Sequence, residues 1–396
     1  MTSRTTTTTT TTTCEILLYL LLCVATTPSS VNAIFGGKET EPQRYPYAVS
    51  LQHENGIPFC GGSLIAPDVV LSAAHCSRRD HKNWLKIGRR HQWNYKAISG
   101  RQILEERNEG GEYGVRKEIL HPKFRMGGER GNIKIAPGTE GFEMDYDFML
   151  VFLENSVSKE DATLVTLNSN ESIPVNRAKL TVMGWGDTAI GNGKVPASRL
   201  MEAKGYVVSN QECVMRKDAK ITYAGAVTNN ELCADEYDGY EHFESYGGMC
   251  RGDSGGPSIL RGSSPENDVQ VGIVSWGACG TSRELPGVYA RVSSQYEWIR
   301  REVCKGSSDP PSSFDCPSRI DLVLIDDGNV LAIVCGGMFL LMATVILVLK
   351  AKRHRTVLPV RQEALSKDSS PTPAKYNQVN QQEPPTPTKH DHFLLI

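Results

Sequence analysis

Residues 61–76 read GGSLIAPDVVLSAAHC, two short apolar β-branched runs parted by a Pro-Asp pair. Short runs of this kind bounded by Gly, Pro or Asn are the vocabulary of β-strands. It recurs as YAVSLQ at 47–52, KLTVMGWG at 179–186, VQVGIVSWG at 269–277 and GVYARV at 287–292. One helix is predicted over 294–303, where Tyr296, Ile299 and Val303 share a face. Many closely spaced strands with a single terminal helix predict an all-β barrel or sandwich. The lack of helices between strands argues against a parallel α/β sheet.

The chain around these runs has 396 residues, 39% hydrophobic and 22% charged, enough for a sizeable core in one or two domains. Its 43 basic and 45 acidic side chains give a net charge of -2. That balance lacks the basic excess of a general nucleic-acid binder, so no nucleic acid is expected as a partner.

Two apolar stretches enclose the strand-rich region. Residues 16–25, ILLYLLLCVA, are too short to cross a bilayer but suit the core of a signal peptide. Val31-Asn32-Ala33 then offers a signal-peptidase site, so 1–33 is expected to be a leader; a buried helix is the alternative. Residues 330–349, VLAIVCGGMFLLMATVILVL, carry no charge and are followed by KAKRHR. Twenty helical residues span roughly 30 Å, and the basic flank should stay cytoplasmic. A single-pass type I membrane protein is expected, with 34–329 extracellular or lumenal and the lipid bilayer as partner of 330–349. Ala332 and Gly336 are spaced for close helix pairing, although the spacing is common. Residues 305–329, containing SSDPPSSF, read as a stalk. Residues 350–396 read as a Pro/Thr-rich disordered tail, a flexible extension or a contact for a cytoplasmic partner.

Of eleven cysteines, Cys14, Cys23 and Cys335 go with the two apolar stretches. Eight remain, an even number that fits pairing in an oxidising compartment. The wide spacings without a C-x-x-C pair speak against zinc.

The chemistry-bearing residues lie in three separated places. Gly252-Asp253-Ser254-Gly255-Gly256-Pro257 is a glycine-rich turn around one hydroxyl. Glycines permit sharp backbone angles and leave amide N–H groups uncovered, where they can face a developing oxyanion. Ser254 needs a base to become a nucleophile, and His75, beside Cys76, is a candidate. Asp147 lies in MDYDFMLVFL, where an unpaired carboxylate would be costly unless it orients an imidazole. Asp145 is the competing carboxylate, further from the apolar run.

AAHC, D-x-x-L, GDSGGP, SWG and PGVY occur in this order over 34–304. The chain thereby resembles the chymotrypsin-like, or trypsin-like, serine proteases. The resemblance implies two six-stranded antiparallel β-barrels with a C-terminal helix, and a serine-type endopeptidase without cofactor or metal. It implies His75 as general base and acid, Asp147 as its orienting partner, Ser254 as nucleophile, and the N–H groups of Gly252 and Ser254 as oxyanion hole. Ser275 resembles a residue that aligns substrate and supports the buried Asp. IFGG at 34–37 is similar to an activating terminus, which would pair the Ile34 amine with Asp253. Ala33 stands where relatives carry Arg or Lys, so secretion itself is expected to expose Ile34, with a short propeptide as the alternative. The implied disulfides are Cys60–Cys76, Cys213–Cys233 and Cys250–Cys279. Leu180 and Leu260 replace a further bridge. Cys304 and Cys316 are left to pair with each other, or Cys304 to bond another chain.

The resemblance makes Gly248 the floor of the primary pocket, with Met249, Trp276, Gly277 and Gly287 around it. Lacking a carboxylate at 248 and having glycines in its walls, the pocket is expected to take Phe, Tyr, Leu or Met. The long acidic loop 234–248 leaves an alternative, cleavage after Arg or Lys through a carboxylate such as Glu244. The enlarged region 91–147 is expected to restrict access or bind a protein. A calcium site at Glu105, Glu106, Glu109 and Glu112 stays open, against the charge of Arg89 and Arg90. Expected partners are protein or peptide substrates and serine protease inhibitors. Asn170-Glu-Ser172 is an expected glycosylation sequon. A binding or adhesion protein on a protease scaffold, or a receptor signalling through its tail, are the contrasting readings.

Overall fold

The computed structural model describes residues 37–77, 95–126, 128–130, 133–135, 144–158, 161, 163–187, 196–218, 221–235, 249–277 and 285–317. The expected leader, the apolar segment 330–349 and the expected tail lie outside them. Among the described residues, no helix is long and apolar enough to cross a membrane.

Six strands close the first barrel: β1 (Ala48–His53), β2 (Pro58–Ala66), β3 (Val69–Ser72), β4 (Tyr95–Ser99), β5 (Gly111–Leu120) and β6 (Met149–Leu153). Their order around the barrel is β6-β3-β2-β1-β4-β5, antiparallel throughout, with β5 pairing back to β6. Closure removes exposed sheet edges. The Pro-Asp pair at 67–68 turns β2 into β3, as its sequence predicts, and Leu51, Leu64, Leu71, Ile98 and Phe152 are buried.

The second barrel repeats the plan with β7 (Lys179–Gly184), β8 (Met201–Val208), β9 (Glu231–Asp235), β10 (Pro257–Leu260), β11 (Val269–Trp276) and β12 (Gly287–Arg291). Its order is β8-β7-β10-β11-β12-β9, and a β8–β9 pairing completes the ring. Leu180, Val182, Val207, Leu232, Val271, Val274 and Tyr289 share its core, and Leu260 packs against them. Leu180 and Leu260 thus meet in one apolar cluster, as expected of a pair that replaces a crosslink. Helix α1 (Asn210–Met215) is capped by the Ser209 hydroxyl, which accepts from the Glu212 amide, and its Cys213 bonds to Cys233 of β9.

The segment before β1 is fastened to the second barrel. Lys38–Glu39 pairs with β8, and the Tyr45 hydroxyl donates to Glu202 at 2.5 Å. Arg44 reaches both oxygens of Asp268, at 2.6 and 2.8 Å, and Tyr47 adds a third donor at 2.6 Å. Asp268 is fully buried, so these donors replace the water it has lost.

Helix α2 runs over Tyr296–Gly306, starting two residues after the predicted Ser294 and ending three after Val303. A 3-10 turn at Val292–Gln295 takes up the difference; there the Ser294 hydroxyl donates to the Arg291 carbonyl, which draws it into the tighter turn. Trp298, Ile299 and Val303 are its buried residues. Structure continues past the expected boundary at 304. Cys304 bonds to Cys316, Ser312–Phe314 form a 3-10 turn, and Arg300 donates to the Phe314 and Asp315 carbonyls. The remainder of the expected stalk, 318–329, lies outside the described residues.

Removing one partner of a buried ion pair strands the other. Arg44→Leu is therefore expected to destabilise the protein by about 3–5 kcal/mol. Denaturant unfolding checks this, and a loss below about 1 kcal/mol would show that Asp268 finds other donors.

Candidate active site

His75 sits in a 3-10 turn, Ala74–Cys76, directly after β3. The small residues Ala73 and Ala74 are fully buried beneath it, and the Cys60–Cys76 disulfide ties the turn to β2. Asp147 enters two residues before β6. Its Oδ2 lies 2.7 Å from His75 Nδ1, and its Oδ1 accepts the His75 amide at 2.9 Å. The Ser275 hydroxyl of β11 donates to Oδ2 at 2.6 Å. Asp147 is 1% exposed. Burial pushes its carboxyl up, but the His75 charge and the hydrogen bonds from His75 and Ser275 outweigh this and hold it below the ordinary range. A carboxylate on Nδ1 puts the proton there and leaves Nε2 as a base.

The competing Asp145 does other work. Its Oδ1 accepts from the Tyr146 amide, the Thr228 hydroxyl and the Asn230 amide group, at 2.9, 3.0 and 2.9 Å. Between the two carboxylates Tyr146 takes the left-handed conformation, with φ of 54°. His121 stacks on its ring at 4.7 Å and Lys123 lies 5.3 Å from the ring centre, contacts that offset the cost of such a backbone.

Ser254 is 2% exposed in the turn before β10. Gly252 and Gly255, with φ of 95° and 80°, supply the left-handed angles that turn requires. Among the described residues the Gly252 amide donates to no backbone carbonyl. The Ser254 carbonyl accepts from the Gly61 amide at 2.6 Å. Gly61 follows Cys60, whose disulfide partner adjoins His75, so serine turn and histidine turn are held by the same stretch of β2.

Asp253 is fully buried. It accepts from the amides of Gly186 and Cys250, both at 2.9 Å. Burial pushes it up to about 7, against the lowering effect of those two bonds. Ile34 lies outside the described residues.

Around the expected pocket, Ser275, Trp276 and Met249 are buried. A Cβ on Gly287 would stand 2.0 Å from Met249 Cε, so the thioether lies directly against Gly287 and adds apolar surface there. Gly277 follows β11, Ala234 and Asp235 of the acidic loop belong to β9, and the rest of that loop, with Glu244 and Gly248, lies outside the described residues. Cys250 is disulfide-bonded; its expected partner Cys279 is also outside them. Cys60, Cys76 and His75 cluster closely enough for a metal, yet both sulfurs are already in a disulfide. Of the carboxylates considered for calcium, Glu109 accepts from Gln43 and the Gln102 amide, and Glu112 from Lys96 and Arg101. Arg89 and Arg90 lie outside. Asn170 is exposed on a turn where its Oδ1 accepts the Ser172 amide at 2.9 Å. The enlarged region before Asp147 carries a small hairpin, Gly128–Arg130 with Ile133–Ile135.

One residue of this neighbourhood was not singled out from sequence. Glu231, at the start of β9, is 1% exposed and accepts the Trp276 indole N–H at 2.8 Å. The available signal was a glutamate opening the otherwise apolar run ELCA.

The family model described as Trypsin matches residues 34–299. Trypsin 5G1 of Aedes aegypti is 31% identical over 273 residues, 68% of this chain and 85% of that protein. The trypsin of Squalus acanthias is 30% identical over 279 residues, 70% of this chain and 98% of that protein. Among solved structures, neuropsin, a serine protease expressed in the limbic system of mouse brain, is 26% identical with a TM-score of 0.51, covering 67% of this chain and 98% of its own.

A Cβ at Gly186 would lie 2.4 Å from Asp253 Oδ2. Gly186→Ala is expected to displace Asp253 and with it the turn, costing about 1–3 kcal/mol of stability. Reactivity of Ser254 toward a fluorophosphonate should drop at least tenfold; parent-like labelling and unfolding would refute this.

Proposed function

Since the chain belongs to the trypsin family and is a chymotrypsin-like serine endopeptidase, we propose that His75, Asp147 and Ser254 are its catalytic triad. The observation that carries this reading is the 2.7 Å contact between His75 Nδ1 and a buried Asp147 that also receives Ser275. His75 Nε2 takes the Ser254 proton as the hydroxyl oxygen attacks the peptide carbonyl. The N–H groups of Gly252 and Ser254 stabilise the resulting oxyanion. The tetrahedral intermediate collapses, the C–N bond breaks, and His75 passes its proton to the leaving amine. Water then loses a proton to His75 and attacks the acyl-enzyme, and Ser254 recovers its proton as the acid product leaves.

The primary pocket takes an uncharged apolar side chain. Gly248 offers no carboxylate, and the buried thioether of Met249 lies against Gly287, an apolar lining in which a cation would go unpaired. The relatives' name does not carry their specificity to this chain without that carboxylate. Matched peptides with Phe, Tyr, Leu, Met, Arg or Lys before the scissile bond test the proposal; the four apolar peptides should have the highest kcat/KM. A strong Arg preference would transfer the role to the acidic loop. Fluorophosphonate labelling, abolished in Ser254→Ala, tests the mechanism itself; an unlabelled parent would favour a non-catalytic scaffold.

The same reading has signal peptidase free the Ile34 amine, which then enters beside Asp253 as the cation that carboxylate lacks. It also places the protease domain outside the cell or in a lumen, anchored through 330–349, with Asn170 glycosylated. The anchor and the tail rest on the sequence alone. Without a cation, a folded Asp253 near 7 keeps a proton that an unfolded aspartate near 4 gives up. Its contribution to stability is then complete below about pH 4 and lost as the pH rises through about 7. A chain extended by residues ahead of Ile34 should lose on the order of 4 kcal/mol over that window. The chain beginning at Ile34 should not. Denaturant unfolding from pH 4 to 8 compares them, and identical profiles would refute the pairing.

A further inference from the structure

Ser275 lies in a β-bulge. The register between β11 and β12 shifts between Val274 and Trp276, so one extra residue on β11 turns toward Asp147. A bulge re-aims a side chain only if both flanks are held. On the N-terminal flank, the Val274 amide donates to the Gly256 carbonyl at 2.9 Å and its carbonyl accepts the Gly255 amide at 2.8 Å. On the other flank, the Trp276 indole donates to Glu231 Oε1 at 2.8 Å, with Tyr223 packed edge-on against the ring. The second oxygen of Glu231 accepts the Thr228 amide at 2.8 Å. The Thr228 hydroxyl in turn donates to Asp145, two residues from Asp147.

We propose that Glu231 is a positioning residue: its buried carboxylate, held between the Thr228 amide and the Trp276 indole, fixes the Trp276 wall of the substrate cleft in register with the triad. This rests on the proposed role of Trp276 beside the pocket. A carboxylate is a costly choice for that position. Among the described residues no ion pair joins a cation to the Glu231 side chain; the Arg291 guanidinium donates to its backbone carbonyl at 3.4 Å. Asp145 and Asp147 face it with like charge, His75 is bonded to Asp147, and β12 sets Ala290 opposite it. Burial first, then those two carboxylates, push it up to about 8 against the bonds from Thr228 and Trp276. Ser275 is separately held by Asp147. Loosening Glu231 should therefore alter substrate binding more than chemistry.

The experiment uses the full-length protein and an apolar peptide substrate, with active molecules counted by fluorophosphonate titration. Glu231→Ala should raise KM at least tenfold and change kcat less than threefold. In the parent, KM should fall as the pH rises through about 8, when the carboxylate becomes free to accept both N–H groups. Glu231→Gln, whose carbonyl still accepts from the indole, should raise KM less than threefold at pH 7 and lack this step. If Glu231→Ala yields no labelled molecules, Trp276→Phe replaces it and should lose the same step. Parent and Glu231→Gln profiles that coincide, or a drop in kcat and labelling with KM unchanged, would overturn the proposal. A parent that is never labelled would instead refute the triad.

Discussion

A carboxylate shut away from water stays ionised only where donors reach it, and the site is organised around meeting that condition at Asp147. Its three donors come from two places far apart in the chain. The histidine turn of the first barrel supplies a ring nitrogen and an amide, and the bulge of the second supplies a hydroxyl. Each donor helps hold the charge, and the charge fixes the imidazole in return. The barrels therefore meet at this point in one relative arrangement.

Three buried carboxyls illustrate how surroundings decide protonation. Asp147 has an imidazole beside it and stays low. Asp253 has two amide donors and burial lifts it. Glu231 has an amide and an indole, together with two acidic neighbours, and is lifted as well. What sets Asp147 apart from the other two is the imidazole beside it, whose Nδ1–H and, once His75 is protonated, positive charge favour the ionised carboxylate. The same functional group thus yields one carboxyl held low and two lifted ones in a single chain.

Much of this was legible in the chain. Short β-branched runs punctuated by Gly and Pro fold as strands because turn chemistry is local, and β1, β2, β3, β7, β11 and β12 follow that pattern. His75, Asp147 and Ser254 were candidates on local grounds, and their roles came from AAHC, D-x-x-L and GDSGGP standing in the order that the resemblance requires. Glu231 was not a candidate, since its partner Trp276 is 45 residues away and a lone glutamate at a strand end reads as solvated. The contact of Met249 with Gly287 was not legible for a similar reason. Which way Met249 turns depends on β12, and no local pattern encodes it. The helix boundary moved because a serine hydroxyl competes for backbone carbonyls, a balance that periodicity does not register.

The Cys304–Cys316 bond has a mechanical implication. A pull applied to the chain beyond Cys316 is transmitted through sulfur to Cys304, and the residues between them carry none of it. The load enters helix α2 near its end, with covalent bonds as the path. Peeling the intervening turn would not relieve the tension. Reduction of that bond would lengthen the load path by the span of the looped-out segment.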